Sequence, residues 1–252
     1  MDRTKLYAHR GFHDKPLIPE NSMAAFRRAI EHGYGVEYDV HLIKDGSLVV
    51  FHDSDLKRCT GVDRIIEDCT LEELREYRLE GTDEKIPTLQ EVLSLFKTSP
   101  GPDGKILPMI IELKVYGGNH EALVKATCNQ LETYPGPYVM ESFDPFAVSA
   151  LRRFHPEVER GQLVDNFIRF KTKIALPAKL LMQSLVTNVL TQPDFVAFRF
   201  TARDSLGISR AIRCGRYDLV TWTIKTPSMY KDALKEGYTI IFEGFNPKDV
   251  EI

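Results

Sequence analysis

The sequence lacks most of the features that mark a secreted, membrane-bound or nucleic-acid-binding protein. It has only four cysteines in 252 residues, at Cys59, Cys69, Cys128 and Cys214. No CxxC spacing or Cys/His cluster links them, so we predict neither a zinc site nor a disulfide framework and expect buried, reduced thiols. The first residues lack the apolar segment of a signal peptide, and no apolar run is long enough to cross a bilayer. These absences indicate a cytoplasmic protein with no integral membrane segment.

An excess of charge of one sign is also missing. The formal net charge is −3 and the Lys and Arg residues are scattered, whereas a nucleic-acid binder usually has a basic stripe or tail. We therefore expect no nucleic-acid partner. With 43% hydrophobic residues the chain can bury a full core, and its length suits one α/β barrel of roughly 250 residues. The oligomeric state stays open, a homodimer included.

Short apolar segments alternate with amphipathic segments along the whole chain. This alternation predicts βα units and a parallel sheet, and eight strands favour a closed (β/α)8 or TIM barrel over an open doubly wound sheet. Residues 53–87 do not fit a simple βα unit and predict a small insertion after the second strand, within one barrel domain spanning residues 1–252. The candidate strands are residues 6–8, 35–40, 109–113, 138–140, 161–164, 195–198, 219–223 and 239–242.

Several helix starts and ends carry their own signals. A Thr followed three residues later by Glu is a capping box, and Pro is favoured at the first helical position. Glycine suits the left-handed position after a helix. These signals occur at Thr70 with Glu73, Thr88 with Glu91, Asp144-Pro145, Thr226-Pro227, Gly33 and Gly237.

Carboxylates in two of the apolar strands demand an explanation, because burying an unpaired charge is costly. The alternation of a strand puts Glu37 and Asp39 on one side, and Glu112 adds a third carboxylate from the neighbouring strand. Such groups repel unless a cation lies between them. Without a His or Cys partner they suit Mg²⁺ or Ca²⁺ better than zinc. The alternative is simple ion pairing with Arg10 and Lys114.

The two basic residues beside these acids suit a phosphate group. Lys114 follows Glu112 by two residues and therefore shares its side of the strand. Arg10 follows the first strand and has a guanidinium group that can hold two phosphate oxygens at once. We expect both to contact substrate phosphate.

Two histidines fall close to this group. His9 ends the first strand, and Asp45-Gly46 predicts a two-residue hairpin turn that sets His52 opposite Asp39. Cleavage of a phosphodiester needs one group to deprotonate the nucleophile and another to protonate the leaving alcohol, and histidine can do either near neutral pH. A satisfied core histidine is the alternative. No direct role is expected of the others, His13, His32, His41, His120 and His155. The first exceptions to consider are His13, two residues from the His-Arg-Gly turn, and His41, on the hairpin.

Taken together and in order, the motifs of this sequence resemble those of the glycerophosphodiester phosphodiesterase family, and specifically its bacterial cytoplasmic members. The likeness runs from residue 8 to residue 223 and therefore covers nearly the whole chain. Each piece is short, but their order is specific. The matching segments are Ala8-His9-Arg10-Gly11, Pro19-Glu20-Asn21-Ser22, Glu37-Tyr38-Asp39-Val40-His41, Lys44-Asp45-Gly46, Val50-Phe51-His52-Asp53, Arg58-Cys59-Thr60-Gly61, residues 86–93, Ile111-Glu112-Leu113-Lys114, Glu141-Ser142-Phe143-Asp144 and Trp222-Thr223.

The resemblance implies a TIM barrel that hydrolyses glycerophosphodiesters, a small-molecule substrate, to sn-glycerol 3-phosphate and an alcohol. It implies that His9 and His52 are the acid/base pair and that one divalent cation, Mg²⁺ or Ca²⁺, is a cofactor. The family's Pro-Glu-Asn motif puts Glu20 near the metal or just behind it, although a carboxylate favoured by the helix dipole is an equal alternative. Its metal ligands match Glu37, Asp39 and Glu112, and its phosphate contacts match Arg10 and Lys114.

Two aromatic residues are further candidates for the substrate site. Trp222 or Phe143 could pack against glycerol carbons or a choline group, although ordinary barrel core is the alternative for both. The sequence departs from the family after Trp222-Thr223 and at the end of the last strand, where Lys225 and Glu243 stand. We expect these two at the pocket rim, where they could pair.

Two rival functions stay open. A lysophospholipase D or a lyase-type barrel that forms a cyclic phosphate would expose an apolar lip for acyl chains. The polar insertion, with Asp63, Arg64 and Glu67, disfavours it. A non-catalytic phosphoester-binding barrel would lack at least one of the histidines or acids, and none is missing here.

Overall fold

Eight parallel strands close into a barrel in this computed structural model, which describes residues 1–2, 6–167 and 176–251. The first strand pairs in parallel with both the second and the last, and this closes the ring. The prediction of a (β/α)8 barrel is therefore confirmed. The nine strands are β1 (Tyr7–His9), β2 (Gly35–Leu42), β3 (Leu48–Val50), β4 (Met109–Leu113), β5 (Tyr138–Ser142), β6 (Arg160–Val164), β7 (Phe195–Arg199), β8 (Asp218–Ile224) and β9 (Thr239–Phe242), of which β3 is an antiparallel extension of β2.

Helices surround this barrel and cover its outer face. Among the residues described, the longest helix has 12 residues, whereas a bilayer crossing needs about 20, and none is long and apolar enough to cross a membrane. The helices are α1 (Met23–Glu31), α2 (Lys57–Thr60), α3 (Leu71–Leu74), α4 (Leu89–Thr98), α5 (His120–Leu131), α6 (Pro145–Phe154), α7 (Leu176–Ser184), α8 (Asn188–Thr191), α9 (Leu206–Cys214) and α10 (Pro227–Lys235).

The predicted helix signals are all used. Both capping boxes form, at the starts of α3 and α4, and Asp144 and Thr226 cap α6 and α10 ahead of a proline. Gly33 and Gly237 have φ values of 70° and 75°, in the left-handed region that glycine adopts at little cost. Local chemistry thus sets where these helices begin and end.

Strand alternation divides the core into two layers. Val36, Tyr38 and Val40 point outward and pack in the layer between strands and helices. The interior of the barrel is filled by a separate cluster that includes Ile110 and Phe195. Because β2 alternates strictly, Glu37 and Asp39 point into the barrel, as the sequence predicted.

The hairpin register differs from the prediction by one residue. Val40 lies opposite Val50, and the Phe51 amide donates to the Asp39 carbonyl, so Asp39 lies opposite Phe51 rather than His52. The cause is a turn of three residues instead of two. The Gly46 amide donates to the Ile43 carbonyl and Gly46 has a φ of 86°, which is the type I turn with a left-handed third residue typical of three-residue hairpin loops.

The segment from residue 53 to residue 87 packs around its own hydrophobic cluster. It carries α2, α3 and a turn of 3-10 helix at Ile66–Asp68, and Leu56, Ile66 and Leu74 are fully covered there together with Phe51 of the hairpin. The cluster attaches the segment to the end of β3, beside the carboxyl ends of β1 and β2.

The cysteines form no disulfide. Cys59, Cys69 and Cys128 are buried as expected, but Cys214 is exposed, so the expectation of four buried thiols is wrong at that position. Cys214 ends α9, and a helix that covers a barrel leaves its outer face to solvent.

Candidate active site

The polar residues named from the sequence meet at the carboxyl end of the barrel strands. The first strand ends in a tight turn in which Arg10 and Gly11 have φ values of 53° and 78°. A Cβ on Gly11 would lie 2.9 Å from the Cβ of Ala25, so only glycine fits against α1. This turn directs His9 and Arg10 over the barrel mouth, where TIM-barrel enzymes place their active sites.

Three buried carboxylates form the centre of the group. Glu37 and Asp39 come from β2, and Glu112 lies beside Asp39 in the register of β2 and β4. One oxygen from each lies within 4.8 Å of the others. All three side chains are almost completely shielded from solvent, so their mutual repulsion is only weakly screened.

The two cations predicted to bind phosphate also touch these acids. The Lys114 ammonium lies 2.7 Å from Glu112 Oε1 and 2.9 Å from Asp39 Oδ1, and Arg10 Nε lies 3.7 Å from Asp39 Oδ2. Ion pairing of these acids with Arg10 and Lys114, which the sequence offered as the alternative to a metal site, therefore occurs in part. Among the described residues, the Glu37 carboxylate accepts a hydrogen bond from the Arg10 backbone amide at 3.2 Å and has the His9 ring 3.8 Å away, with no Lys or Arg side chain paired to it.

The pKa values reflect this incomplete neutralisation. Burial, with Asp39 and Glu112 nearby, raises the pKa of Glu37 well above its ordinary value. Burial opposes ionisation of Asp39 as well, but Lys114, His52 and Arg10 hold its pKa well below the usual range. Burial also raises the pKa of Glu112, although Lys114 counteracts it. Because a hard divalent cation favours oxygen ligands and would relieve this repulsion, the three residues fit such an ion.

His9 is hydrogen-bonded to a carboxylate, Glu243, that directly follows the last strand of the barrel. Its Nδ1 lies 2.5 Å from Glu243 Oε2, and Lys225 lies 2.8 Å from the other Glu243 oxygen, which is the rim pair expected from the sequence. Hydrogen bonds from His9 and Lys225 outweigh burial and lower the pKa of Glu243, so its carboxylate accepts and His9 Nδ1 donates. Burial lowers the pKa of His9 to about 4, leaving Nε2 as a proton acceptor facing Glu37.

His52 has an analogous support. Its Nδ1 lies 2.5 Å from Asp53 Oδ1, and Arg58 Nε donates to the other Asp53 oxygen at 2.5 Å. These two partners lower the pKa of Asp53 against the effect of burial. The carboxylate therefore accepts from His52 Nδ1, and Nε2 is the atom that can take up or release a proton.

Glu20 stands behind Arg10 rather than among the three central acids. It accepts from Arg10 Nη1 at 2.8 Å and from Arg58 Nη2 at 2.6 Å, and it also pairs with Lys15. This ion pairing fixes the guanidinium of Arg10 beside Asp39. Glu20 lies before the Ser22 cap of α1, so its contacts are with cations and not with the helix terminus.

A cavity of about 340 Å³ joins these groups. It is lined by His9, His52 and Arg10, by the acids Glu20, Glu37, Glu112 and Glu243, and by Phe143 and Trp222. The two aromatic rings meet edge to face with centroids 5.7 Å apart. Arg199 lies 4.5 Å above the Trp222 ring, so this wall combines aromatic carbon with charge.

Several residues that support the site were not predicted from the sequence. Glu141 is buried beside Glu112 in the register of β4 and β5, and burial with Glu112 and Asp39 nearby raises its pKa well above normal. An acid in an apolar strand was the signal that could have revealed it. Asn21 donates to Asp39 Oδ2 at 2.9 Å.

One histidine expected to have no role is buried at the site. His41 Nδ1 lies 2.6 Å from Glu67 Oε1, and its Nε2 lies 3.3 Å from the backbone carbonyl of His52. Ser54 donates to the same Glu67 oxygen at 2.9 Å. His41 is buried because the segment after β3, which carries Glu67 and Ser54, folds back over this side of β2.

Known proteins are similar to this chain in sequence and in fold. The profile described as the glycerophosphoryl diester phosphodiesterase family matches residues 9–242. A glycerophosphodiester phosphodiesterase of Bacillus altitudinis is 30% identical to this chain, in an alignment that covers 99% of this chain and 98% of the relative. One from Caldanaerobacter subterraneus is 34% identical over 64% of this chain and 67% of its own. A similar fold is found in the solved structure of an Oleispira antarctica phosphodiesterase in complex with the product sn-glycerol-3-phosphate. The two structures superpose with a TM-score of 0.75 and 25% sequence identity, over 97% of this chain and 94% of the other.

Proposed function

We infer that this chain, which belongs to the glycerophosphoryl diester phosphodiesterase family, hydrolyses glycerophosphodiesters to sn-glycerol 3-phosphate and an alcohol. The inference rests on one observation: the three buried acids lie together at the mouth of the barrel, beside a cavity that is lined by His9 and His52. Each of these histidines is hydrogen-bonded to a carboxylate. A non-catalytic phosphoester-binding barrel has no need for such a set.

Glu37, Asp39 and Glu112 are the residues that would hold a divalent cation. When bound, the cation would supply charge that stabilises the phosphoryl oxygens of the transition state. An all-carboxylate set suits either Mg²⁺ or Ca²⁺, and we propose that one of these two serves. Arg10 and Lys114 border the same acids, from which they can also reach phosphoryl oxygens and offset their growing charge.

We propose that His9 and His52 divide the proton transfers. Each has Nδ1 occupied by a carboxylate, which fixes the ring and leaves Nε2 for the reaction. His9 is suited to accept a proton from the nucleophile, since its lowered pKa keeps it neutral at pH 7. His52 then protonates the departing alcohol. The nucleophile is either water or the glycerol 2-hydroxyl, and ³¹P NMR detection of a cyclic phosphate would distinguish the two.

The aromatic wall of Phe143 and Trp222 suits a cationic or carbon-rich alcohol such as choline. Six acids line the same cavity against three cations, Arg10, Arg199 and Lys225; the acids are Glu20, Glu37, Glu112, Glu141, Asp165 and Glu243. A positively charged leaving group is therefore favoured by the field of the pocket. Action in the cytoplasm stays a prediction from the sequence, and the oligomeric state stays open, a homodimer included.

The function is tested by a product-release assay. Purified protein is incubated with glycerophosphocholine, glycerophosphoethanolamine, glycerophosphoinositol or a lysolipid, each with Mg²⁺, Ca²⁺, Mn²⁺ or a chelator. We expect sn-glycerol 3-phosphate from at least one glycerophosphodiester, and no turnover with chelator. Absence of turnover with every substrate and metal would refute the proposal.

The roles of the two imidazoles are tested by His9→Ala and His52→Ala. Loss of general acid or base catalysis costs about 10²–10⁴-fold, and neither change removes a proposed metal ligand, so metal binding by calorimetry should persist. His155→Ala is the matched control, because the His155 side chain contacts the exposed Glu157 and does not line the catalytic cavity. Unchanged activity in both site variants would rule out the acid/base assignment.

A further inference from the structure

A second group of possible metal ligands lies beside His9, apart from the three central acids. One ligand atom from each of His9, His13 and Glu243 lies within 4.8 Å of the others. The His9 ring separates this group from the central acids, since its Nδ1 lies 2.5 Å from Glu243 and its Nε2 lies 3.8 Å from Glu37. The second group therefore meets the nitrogen of His9 that the proposed reaction does not use.

His13 is the member of this group that the catalytic cavity does not account for. It follows the His-Arg-Gly turn and does not line the cavity. Among the described residues its ring has no hydrogen bond or ion pair. The backbone around it is nevertheless fixed, because the Phe12 amide donates to the Ala25 carbonyl at 3.0 Å. On the other side, Asp14 and Ile18 exchange two backbone hydrogen bonds of 2.9 Å. The imidazole is thus carried on an ordered loop with its nitrogens open to a ligand.

The three side chains are in the protonation states that bind a metal. Burial lowers the pKa of His9 to about 4 and also lowers the pKa of His13. Hydrogen bonds from His9 and Lys225 lower the pKa of Glu243 against the effect of burial. Neutral imidazoles and an ionised carboxylate are the forms that coordinate metal ions. At pH 7 the group therefore needs no costly deprotonation to bind one.

The ligand types select a different cation from the one expected at the central acids. Two imidazole nitrogens with one carboxylate oxygen suit zinc and related transition metals, which take such sets in tetrahedral geometry with water in the fourth position. Glu37, Asp39 and Glu112 offer only oxygen and suit Mg²⁺ or Ca²⁺. The two neighbouring groups are thus chemically distinct, and Mg²⁺ at the acids leaves the nitrogen ligands free.

We propose that His9, His13 and Glu243 bind a divalent cation of the zinc class, and that the bound cation holds the enzyme inactive. The cation replaces the proton between His9 Nδ1 and Glu243. A neutral imidazole keeps one proton, which then resides on Nε2, so that Nε2 can no longer accept a proton from the nucleophile. Binding of the cation is independent of the proposed function, whereas the inhibition rests on it.

Calorimetry with Zn²⁺ tests the binding. The protein is kept in saturating Mg²⁺, so that the three acids are occupied, and we expect one zinc ion per chain. His13→Gln should weaken zinc binding by at least about 10–100-fold, the cost of losing even a residue that only supports a metal ligand. His155→Gln is the matched control, because His155 contacts the exposed Glu157 away from the site, and it should bind zinc as the wild type does.

Two further measurements identify the ligands. In ¹⁵N NMR of the imidazoles, zinc should move the His9 proton from Nδ1 to Nε2 and shift the signals of His13. Lys225 Nζ lies 2.8 Å from Glu243 Oε1, so Lys225→Gln removes a positive charge beside the cation. Its zinc affinity should rise by about threefold or more, a gain that a misfolded variant would not show.

Turnover of glycerophosphocholine with saturating Mg²⁺ tests the inhibition. Zinc at about ten times its dissociation constant should lower the rate of the wild type about tenfold, by mass action. His13→Gln should match the wild type without zinc and keep that rate when the same zinc concentration is added. His155→Gln should be inhibited as the wild type is.

The outcomes separate this inference from the proposed function. Absence of zinc binding in the wild type, or equal binding in His13→Gln, would overturn the site. Inhibition that persists undiminished in His13→Gln would place zinc at the three central acids and would also overturn it. Zinc binding with unchanged turnover would overturn the inhibitory role. If no glycerophosphodiester is turned over, the proposed function fails, and calorimetry and NMR still decide whether the site binds zinc.

Discussion

Removal of divalent cations is expected to lower the thermal stability of this protein. Three carboxylate oxygens of Glu37, Asp39 and Glu112 lie within 4.8 Å of one another, and burial keeps solvent from screening them. At an effective dielectric constant near 20, each pair of charges at that distance repels by about 3 kcal/mol. Lys114 and Arg10 offset part of this repulsion, and a bound cation would offset the remainder.

The size of the effect follows from binding linkage. A cation present at about 100 times its dissociation constant stabilises the folded state by about 2.7 kcal/mol. For a chain of this size each kcal/mol raises Tm by about 2–4 °C. We therefore expect Tm to rise by roughly 5–10 °C between chelator and saturating Mg²⁺ or Ca²⁺.

Thermal unfolding followed by circular dichroism measures this shift. Glu37→Gln is the most informative variant, because the raised pKa of Glu37 shows that its charge is the least compensated of the three. With chelator its Tm should equal or exceed that of the wild type, and the rise with cation should largely disappear. Glu236→Gln, at an exposed position after α10, should behave as wild type. The metal site would be refuted if the wild type had the same Tm with and without cation, or if cation raised the Tm of Glu37→Gln as much as that of the wild type.

Three further predictions concern the support of the site and the packing of the barrel. Glu243→Gln keeps the shape of the side chain beside His9 but removes its charge. It should lower kcat about 10–100-fold with little change in KM, as the loss of a residue that orients an active-site histidine does in other proteins. An unchanged kcat would show that Glu243 does not orient the His9 ring. Because burial lowers the pKa of His9 from 6.5 to about 4, the unfolded state binds more protons in that interval. The metal-free protein should therefore lose about 3 kcal/mol from this residue between pH 7 and pH 4. Urea unfolding should show a smaller loss of unfolding free energy over this pH interval in His9→Gln than in the wild type. The same pH dependence in both proteins would contradict the lowered pKa of His9. Gly161→Ala would set a Cβ 2.1 Å from the Phe195 ring and should cost about 1–3 kcal/mol; an unaltered urea midpoint would mean that the barrel interior adjusts freely.

Local pattern was sufficient for the architecture and for part of the site. The eight predicted strands all occur, because apolar segments that are buried on both faces leave few alternatives in a parallel sheet. Glu37, Asp39 and Glu112 converge as the alternation of strands requires. The helix caps at Thr70, Thr88, Asp144 and Thr226 also form, since each depends only on neighbours within one helical turn.

Contacts between distant segments could not be read in the same way. The register of β2 and β3 depended on whether the turn has two or three residues, a choice that the Asp45-Gly46 pair leaves open. The burial of His41 depended on how residues 53–87 fold back, and no periodic signal describes that path.

The sequence by itself determined the barrel, its strands and the residue types that carry phosphodiester chemistry, because each of these depends on interactions within a few residues or on a repeating pattern. Only the tertiary structure decided which carboxylate supports which imidazole. Asp53 holds His52 from the next position in the chain, but Glu243 reaches His9 across 234 positions because the last strand closes against the first. It also decided that an apolar cavity, lined in part by Leu113, Val115 and Phe146, opens beside Lys114, since its walls come from loops and helices that become neighbours only when the barrel closes.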